Sequence, residues 1–354
     1  MSAGADNPRL LAGRCSKGYH TGVRPGTTTS PPGVHSAPTA RCSALREPRC
    51  ALAVFCLLFA LARLSPCADT SPERLFRIVH ITDTHCSTTT RVPAGKPTRG
   101  QPLSLGGIKT VHWKDLPHSF QILEETVGWV NEKIEPDLVL VTGDITNGDA
   151  PLADMEKAKQ ILDKLKCAYY PCKGNHDAKE SYDRVFGKRN YSVEYKGWRF
   201  IVFTDCPTAE DVKWLRNEAG KAPAKPLIFC THYLVYCDPI VRTGIRLARN
   251  LEVVMHRAEE VDAVLREQRT FVLAISGHVH SPFFFQADEA APGYLTTDSL
   301  CEPPHEFRVL DVYPDRIETW FVRGNSFEDI CEGKWEEVAR KSILRGRLRG
   351  IRGQ

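Results

Sequence analysis

Long apolar runs are missing from this chain. The longest, Cys50 to Ala62, is 13 residues, well short of the roughly 20 that a membrane-spanning helix needs. Acidic residues are scarce in three stretches. Residues 1–49 hold two against seven Lys or Arg, the last 16 residues hold none against six basic residues, and none lies between Asp83 and Asp115. Since the whole chain carries +4, residues 50–337 come to about −7, and a mildly acidic core disfavours nucleic acid as a partner of the fold. No internal repeat and no second composition break is visible after residue 70, so solenoids and a further domain are excluded.

What is present divides the chain into four parts. Residues 1–48, rich in Gly, Pro, Ser, Thr and Arg without periodicity, read as a disordered or removed leader. Residues 49–68 read as a hydrophobic signal or anchor segment: the apolar run follows Arg46 and Arg49 and precedes small residues around Ser65 to Ala68. A secreted or lumenal destination follows, and an Arg-rich, acid-poor leader equally describes a mitochondrial transit peptide. Residues 70–337 read as one folded domain and 338–354 as a basic tail. Residues 50–62 and that tail are the two stretches suited to touching a membrane.

Eight of the 13 cysteines lie after Ala68: Cys86, Cys167, Cys172, Cys206, Cys230, Cys237, Cys301 and Cys331. An even number behind a signal segment fits disulfides in an oxidising compartment, while those in apolar runs such as "LIFC" fit reduced core residues, and both readings stand. Asn190-Tyr191-Ser192 is a glycosylation sequon.

From residue 74 onward short apolar runs alternate with helical patterns. "FRIVHI", "DLVLVTGD", "CAYYPCKGN", "WRFIVFTD", "KPLIFCTH" and "TFVLAISGH" read as strands. "SFQILEETVGWVNEKI", "DMEKAKQILDKL", "EDVKWLRNEAG" and "LEVVMHRAEEVDAVLRE" read as helices between them. "GYLTTDS", "HEFRVLDVYP" and "RIETWFV" then follow as strands. The order predicts an α/β layered sandwich, with mixed β-sheets flanked by helices.

Residues able to bind metal recur where these strands end, the edge on which open α/β sheets build their sites. Asp83 and His85 close the first strand, Asp144 follows in "TGDITNG", Asn175 and His176 in "KGNHD", His232 in "CTHY", and His278 and His280 in "SGHVHS". Singly, each is ordinary turn chemistry or a buried histidine. Together, in this order, they resemble the calcineurin-like metallophosphoesterase superfamily, whose pattern is DxH, GD, GNH[DE], H and GHxH. The resemblance covers roughly residues 76–285, and "EFRVLDVYPDRIETWFV" is similar to the closing strands of the branch with class III cyclic nucleotide phosphodiesterases.

That resemblance implies a dinuclear centre at the strand ends, with Asp83, His85 and His280 on one metal, Asn175, His232 and His278 on the other, and Asp144 bridging both. Mixed N and O donors suit two divalent or mixed-valence ions of Fe, Mn or Zn. It implies a phosphoesterase that hydrolyses a phosphodiester or phosphomonoester by attack of a metal-bridging hydroxide. His176 would protonate the leaving oxygen or stabilise the transition state, and Asp177 would orient it. Asn147 stands where purple acid phosphatases place a Tyr ligand, and Asn147-Gly148 where phosphoprotein phosphatases have Asp-Arg, so those branches lose weight.

The acid-free loop after His85, which carries Arg91, Lys96, Arg99, Lys109 and Lys114, reads either as a cover that holds a substrate phosphate, with His112 and Trp113 able to stack on a base, or equally as a disordered surface insert. The partner expected is a small phosphate ester. The alternatives are a catalytically silent protein-binding scaffold on the same fold, or a protein phosphatase or nuclease.

Overall fold

A computed structural model describes residues 72–89, 114–148, 150–235 and 254–352, and the backbone of 103–105 and 108–110. All belong to one compact unit, Asp69–Gln354. The leader, the apolar segment 49–68, Arg91, Lys96, Arg99, His112, Trp113 and Cys237 lie outside the described residues, as does the side chain of Lys109.

The first strand shows how the layers arise. In β1 (Phe76–Ile81) successive side chains point to opposite faces. Phe76 and Ile78 join one buried cluster, while Val79 and Ile81 join another. Both faces are covered, which is why four of the six residues are apolar. After a small hairpin of β2 (Leu103–Leu105) and β3 (Ile108–Thr110), the chain continues through α1 (Ser119–Trp129), β4 (Leu138–Thr142), α2 (Leu152–Leu162), β5 (Ala168–Cys172) and α3 (Lys179–Val185). Then come β6 (Tyr191–Tyr195), β7 (Trp198–Val202), α4 (Ala209–Gly220), β8 (Leu227–Cys230), α5 (Ala258–Arg266), β9 (Phe271–Ser276), β10 (Phe283–Gln286) and β11 (Gly293–Thr296). The chain closes with β12 (Glu306–Val312), β13 (Ile317–Arg323), α6 (Phe327–Cys331), β14 (Glu336–Ile343) and α7 (Arg345–Arg352).

Two mixed sheets of six strands result, ordered β14-β13-β12-β1-β4-β5 and β10-β11-β9-β8-β7-β6. Both are mixed: in the first, β1, β4 and β5 run parallel out to the β5 edge while β12, β13 and β14 pair antiparallel on the other side, and in the second, β7, β8, β9 and β11 run parallel between the antiparallel margins β6 and β10. Between the sheets lie Ile78, Leu140, Phe200, Ile228 and Ile275. Ile122, Leu123, Met155 and Ile161 from α1 and α2 cover the outer face of the first sheet. Val212, Leu215, Val261 and Leu265 from α4 and α5 cover that of the second. The predicted layered sandwich of mixed sheets and flanking helices is the observed fold. Thr208 starts α4 with a reciprocal cap, its hydroxyl accepting from the Asp211 amide while the Asp211 carboxylate accepts from the Thr208 amide.

One expected boundary is corrected. Position 337, where the sequence places the end of the folded domain, falls inside β14, which pairs with β13 from Ile317↔Ile343 to Arg323↔Glu336. The basic segment beyond it is packed: Ile343, Leu344 and Leu348 are buried in the inter-sheet core and Ile351 rests against it. The seven described cysteines are unpaired in this structure, and the four buried ones, Cys86, Cys172, Cys230 and Cys301, fit the core reading. The Asn190 side chain donates to Asp211 Oδ1 at 2.5 Å and accepts from the Thr204 amide at 2.8 Å. No described helix is long and apolar enough to cross a membrane.

Candidate metal centre

The sandwich brings the ends of β1, β4 and β5 from one sheet against those of β8 and β9 from the other. Asp83 and His85 leave β1, Asp144 leaves β4, Asn175 and His176 leave β5, His232 leaves β8, and His278 and His280 leave β9. Asp83, His85, Asp144 and His280 form one group whose donor atoms all lie within 4.8 Å of one another, and Asp144, His232 and His278 form a second on the same criterion. Asp144 belongs to both. Asn175 Oδ1 lies 3.0 Å from His232 Nε2, at the edge of the second group.

The local backbone is strained to reach this arrangement. Asp83, His85, Asp144, His278 and His280 all have φ between 43° and 69°, a region non-glycine residues seldom enter and that costs about 1–3 kcal/mol each. Two glycines make the crowding possible. A Cβ on Gly174 would sit 2.1 Å from the Asp144 amide and 2.2 Å from its Oδ1, and one on Gly277 would sit 1.9 Å from Thr82 Oγ1 and 2.6 Å from Asp83 Oδ2. Gly174→Ala is therefore expected to displace Asp144 and lower activity by about 10²-fold, the usual cost of a misplacement near 1 Å. Gly128→Ala, inside α1 with nothing within 4 Å of the new methyl, is expected to keep full activity and gain up to about 1 kcal/mol of stability. Assays and thermal melts of the two variants side by side check this pair; equal, normal activity would refute the crowding argument.

Hydrogen bonds orient the donors. Asp83 Oδ2 accepts from Thr82 Oγ1 at 2.7 Å and from the His278 amide at 3.0 Å. Asp144 Oδ1 accepts from the His176 amide at 2.8 Å, which leaves Oδ2 for His232 Nε2 at 3.3 Å and His85 Nε2 at 3.7 Å. His232 Nδ1 donates to the Thr142 carbonyl at 2.8 Å, so Nε2 is the face turned to the cluster. Tyr233 lies across His278, with ring centroids 4.0 Å apart.

Electrostatics favour positive charge at the centre. Burial opposes ionisation of Asp83 and Asp144, but His280 beside the first and His232 beside the second outweigh it and hold both carboxyls below the ordinary range. Burial likewise pushes the two imidazoles down, yet Asp144 lifts His232 to about 9, and Asp83 with Glu302 lifts His280 to about 10. His85 behaves oppositely: burial, then Lys114, hold it well below its usual value. Asp83 Oδ1 is fully buried without a well-formed hydrogen bond, with His280 Nε2 at 3.1 Å and His85 Nε2 at 3.9 Å. The Nε2 atoms of His85 and His280 face each other at 3.3 Å. An orphaned carboxylate oxygen and two opposed imidazole nitrogens around shared carboxylates are a donor set that suits metal ions.

A model of the calcineurin-like phosphoesterase family matches residues 76–282, more than half of the chain. The chain belongs to the calcineurin-like phosphoesterase family. Within it, a 3',5'-cyclic-nucleotide phosphodiesterase of Nostoc sp. is 27% identical over 220 residues, covering 54% of this chain and 78% of the relative. A probable glycerophosphodiester phosphodiesterase of Arcobacter nitrofigilis is 26% identical over 168 residues, covering 42% of this chain and 59% of the relative. A dimetal phosphatase from Danio rerio shares the fold, with a TM-score of 0.56 at 16% identity over 77% of this chain and all of the other.

His176 and Asp177, the two catalytic candidates, separate within this family site. The His176 ring meets His85 edge-on with centroids 4.9 Å apart, and burial pushes its pKa down while Asp144 opposes the shift. Asp177 does not orient His176 through a hydrogen bond. Its Oδ1 accepts from the Thr146 amide and hydroxyl at 2.8 and 3.1 Å and its Oδ2 from the Gly174 amide at 2.9 Å. It thereby ties the loop after β4 to the loop after β5. Burial and Asp144 push its pKa up to about 6.

Two neighbours complete the site. Lys114 Nζ lies 3.1 Å from His85 Nδ1 and brings a cation of the acid-free loop to the cluster. Glu302 accepts from His280 at 2.6 Å; it sits in "LCEPP" between β11 and β12, where the sequence offers no signal for it.

Proposed function

We propose that this chain is a metal-dependent phosphoric ester hydrolase acting on a small phosphodiester, with two ions of Fe, Mn or Zn as cofactors. The observation that carries the reading is the pair of donor groups joined through Asp144. Asp83, His85 and His280 would hold one ion, Asn175, His232 and His278 the other, and Asp144 both. When bound, such a pair supplies Lewis acidity on both sides of an in-line displacement and a nucleophile at neutral pH. The two curated relatives are named for diester hydrolysis, of a cyclic nucleotide and of a glycerophosphodiester, which supports a diester over a monoester.

The chain's own groups have separable tasks in this reading. Asp144 fixes the spacing of the two halves, and the His176 amide holds its Oδ1. The His176 ring, part-buried and edge-on to His85, would serve the leaving oxygen. Lys114 offers a charge-assisted contact to a substrate phosphate. Hydrolysis rates of the full chain on mono- and diesters, with Mn, Fe and Zn each added back after chelation, test the proposal. Diester turnover that chelation removes and metal restores is expected, and binding of metal without turnover of any ester would favour the silent scaffold.

Lys114→Ser is expected to raise KM by about 10- to 100-fold with metal content unchanged, since a hydrogen bond to a charged group is worth roughly 1.5–3 kcal/mol. An unchanged KM with a fall in bound metal would instead tie Lys114 to His85 alone.

A further inference from the structure

His280 differs from His232 in what its second nitrogen meets. His232 Nδ1 donates to a neutral backbone carbonyl, that of Thr142, whereas His280 Nδ1 lies 2.6 Å from the carboxylate Oε1 of Glu302. Glu302 is 3% exposed. Its segment is fastened to the loop that carries Asp83: the Leu300 amide donates to the Thr82 carbonyl at 3.1 Å, the Cys301 amide to the Asp83 carbonyl at 3.3 Å, and Ser299 Oγ to the same carbonyl at 2.9 Å. A buried carboxylate at fixed distance from one imidazole nitrogen keeps the proton on that nitrogen and the other nitrogen free to bind a cation.

We infer that Glu302 is a positioning residue for the half of the centre formed by Asp83, His85 and His280, holding His280 with Nδ1 protonated and Nε2 directed at the cluster. The inference rests on the metal reading of that half. It makes Glu302 specific to one of two binding positions. Outer partners of this kind typically contribute about 10- to 100-fold in metal affinity, so its removal weakens one metal and spares the other. A general packing role would have no such asymmetry.

The test uses the full chain, titrated with Zn²⁺ against a competing chelator, with bound metal counted by mass spectrometry. The wild type is expected to bind two ions. Glu302→Gln is expected to bind one as the wild type does and the other about 10- to 100-fold more weakly, with turnover returning when Zn²⁺ is raised, and Glu302→Asp is expected to fall between. His280→Ala should lose the same ion outright. Two wild-type affinities in Glu302→Gln, alongside loss of one ion in His280→Ala, would overturn the Glu302 role alone. Two ions retained in His280→Ala would overturn the reading beneath it. Equal weakening of both ions in Glu302→Gln, with a lower Tm, would reduce Glu302 to packing. Should the glutamine variant not fold, the Zn²⁺-loaded wild type decides by proton NMR. A slowly exchanging, far-downfield Nδ1–H resonance missing from His280→Ala supports the role, and its absence in the wild type refutes it.

Discussion

Asp144→Asn is expected to lower turnover by about 10³-fold or more and to bring bound metal below two per chain. Loss of a partner outside the ligand set typically costs about 10- to 100-fold, and a donor shared by both halves of a site must cost more. The side chain is 1% exposed and its Oδ2 lies between His232 Nε2 at 3.3 Å and His85 Nε2 at 3.7 Å. An amide there keeps the size of the carboxylate, removes its charge, and offers one donor in place of two equivalent oxygens. Because Asp144 also lifts His232 and is itself held ionised by it, the substitution releases the imidazole from its strongest partner. Metal per chain and turnover, measured on the same preparation with circular dichroism to verify folding, check the result. Two tightly held ions and normal turnover in the variant would end the assignment of Asp144 as the shared ligand.

The parts of this protein that were legible beforehand are those whose residues obey a single local rule. β1, β4, β8 and β9 are buried on both faces, so their sequences are mostly apolar, with Arg77 and His80 as the polar exceptions inside β1. Their ends carry the candidate donors in chain order, and the fold had only to bring those ends together. β14 escaped notice for the opposite reason. It is an edge strand with the pattern "EEVARKSI", largely exposed, and edge strands favour charge because charge blocks further pairing. The helix after it, α7, hides Leu348 and Ile351 among arginines, so its charge reads as a solvated tail. Asp177 was misread because proximity in sequence to His176 suggested a partnership that the turn does not make: the carboxylate faces Thr146 and the Gly174 amide instead. Glu302 was invisible because its meaning lies entirely in a contact 22 residues away in the chain.

The backbone strain gives those strand ends a physical reason to be functional. A fold could place Asp83, His85, Asp144, His278 and His280 at less costly angles if they were only polar strand ends. Instead all five sit at positive φ and converge, and Gly174 and Gly277 leave no room for a side chain between them. Such strain persists only where the surroundings over-determine it. The layers supply that determination, since the two outer helical covers and the inter-sheet core fix the strands from which each loop leaves.

His176→Ala is expected to retain metal and to lose activity in a way that depends on the leaving group. The neighbouring Asn175 is the candidate donor, with Oδ1 at 3.0 Å from His232 Nε2, while the His176 ring faces His85 edge-on at 4.9 Å between centroids. If the His176 imidazolium donates a proton to the departing oxygen, its value scales with how poorly that oxygen leaves alone. An alkoxide leaves poorly and a nitrophenolate leaves well. General acid assistance typically contributes about 10²- to 10⁴-fold, so the variant should lose most of that factor on alkyl phosphodiesters and far less on nitrophenyl esters at the same pH. The ring's environment sharpens the comparison: burial pushes its pKa down and Asp144 pulls the other way, so a proton on His176 depends on negative charge close by, which a bound phosphate adds to. Rates on both ester types, with metal content recorded for each preparation, decide the role. Equal losses on both would make His176 a stabiliser of charge on the phosphoryl oxygens. Loss of metal would show that Asn175 and His176 have been assigned in the wrong order, and unchanged rates on both would remove His176 from the chemistry.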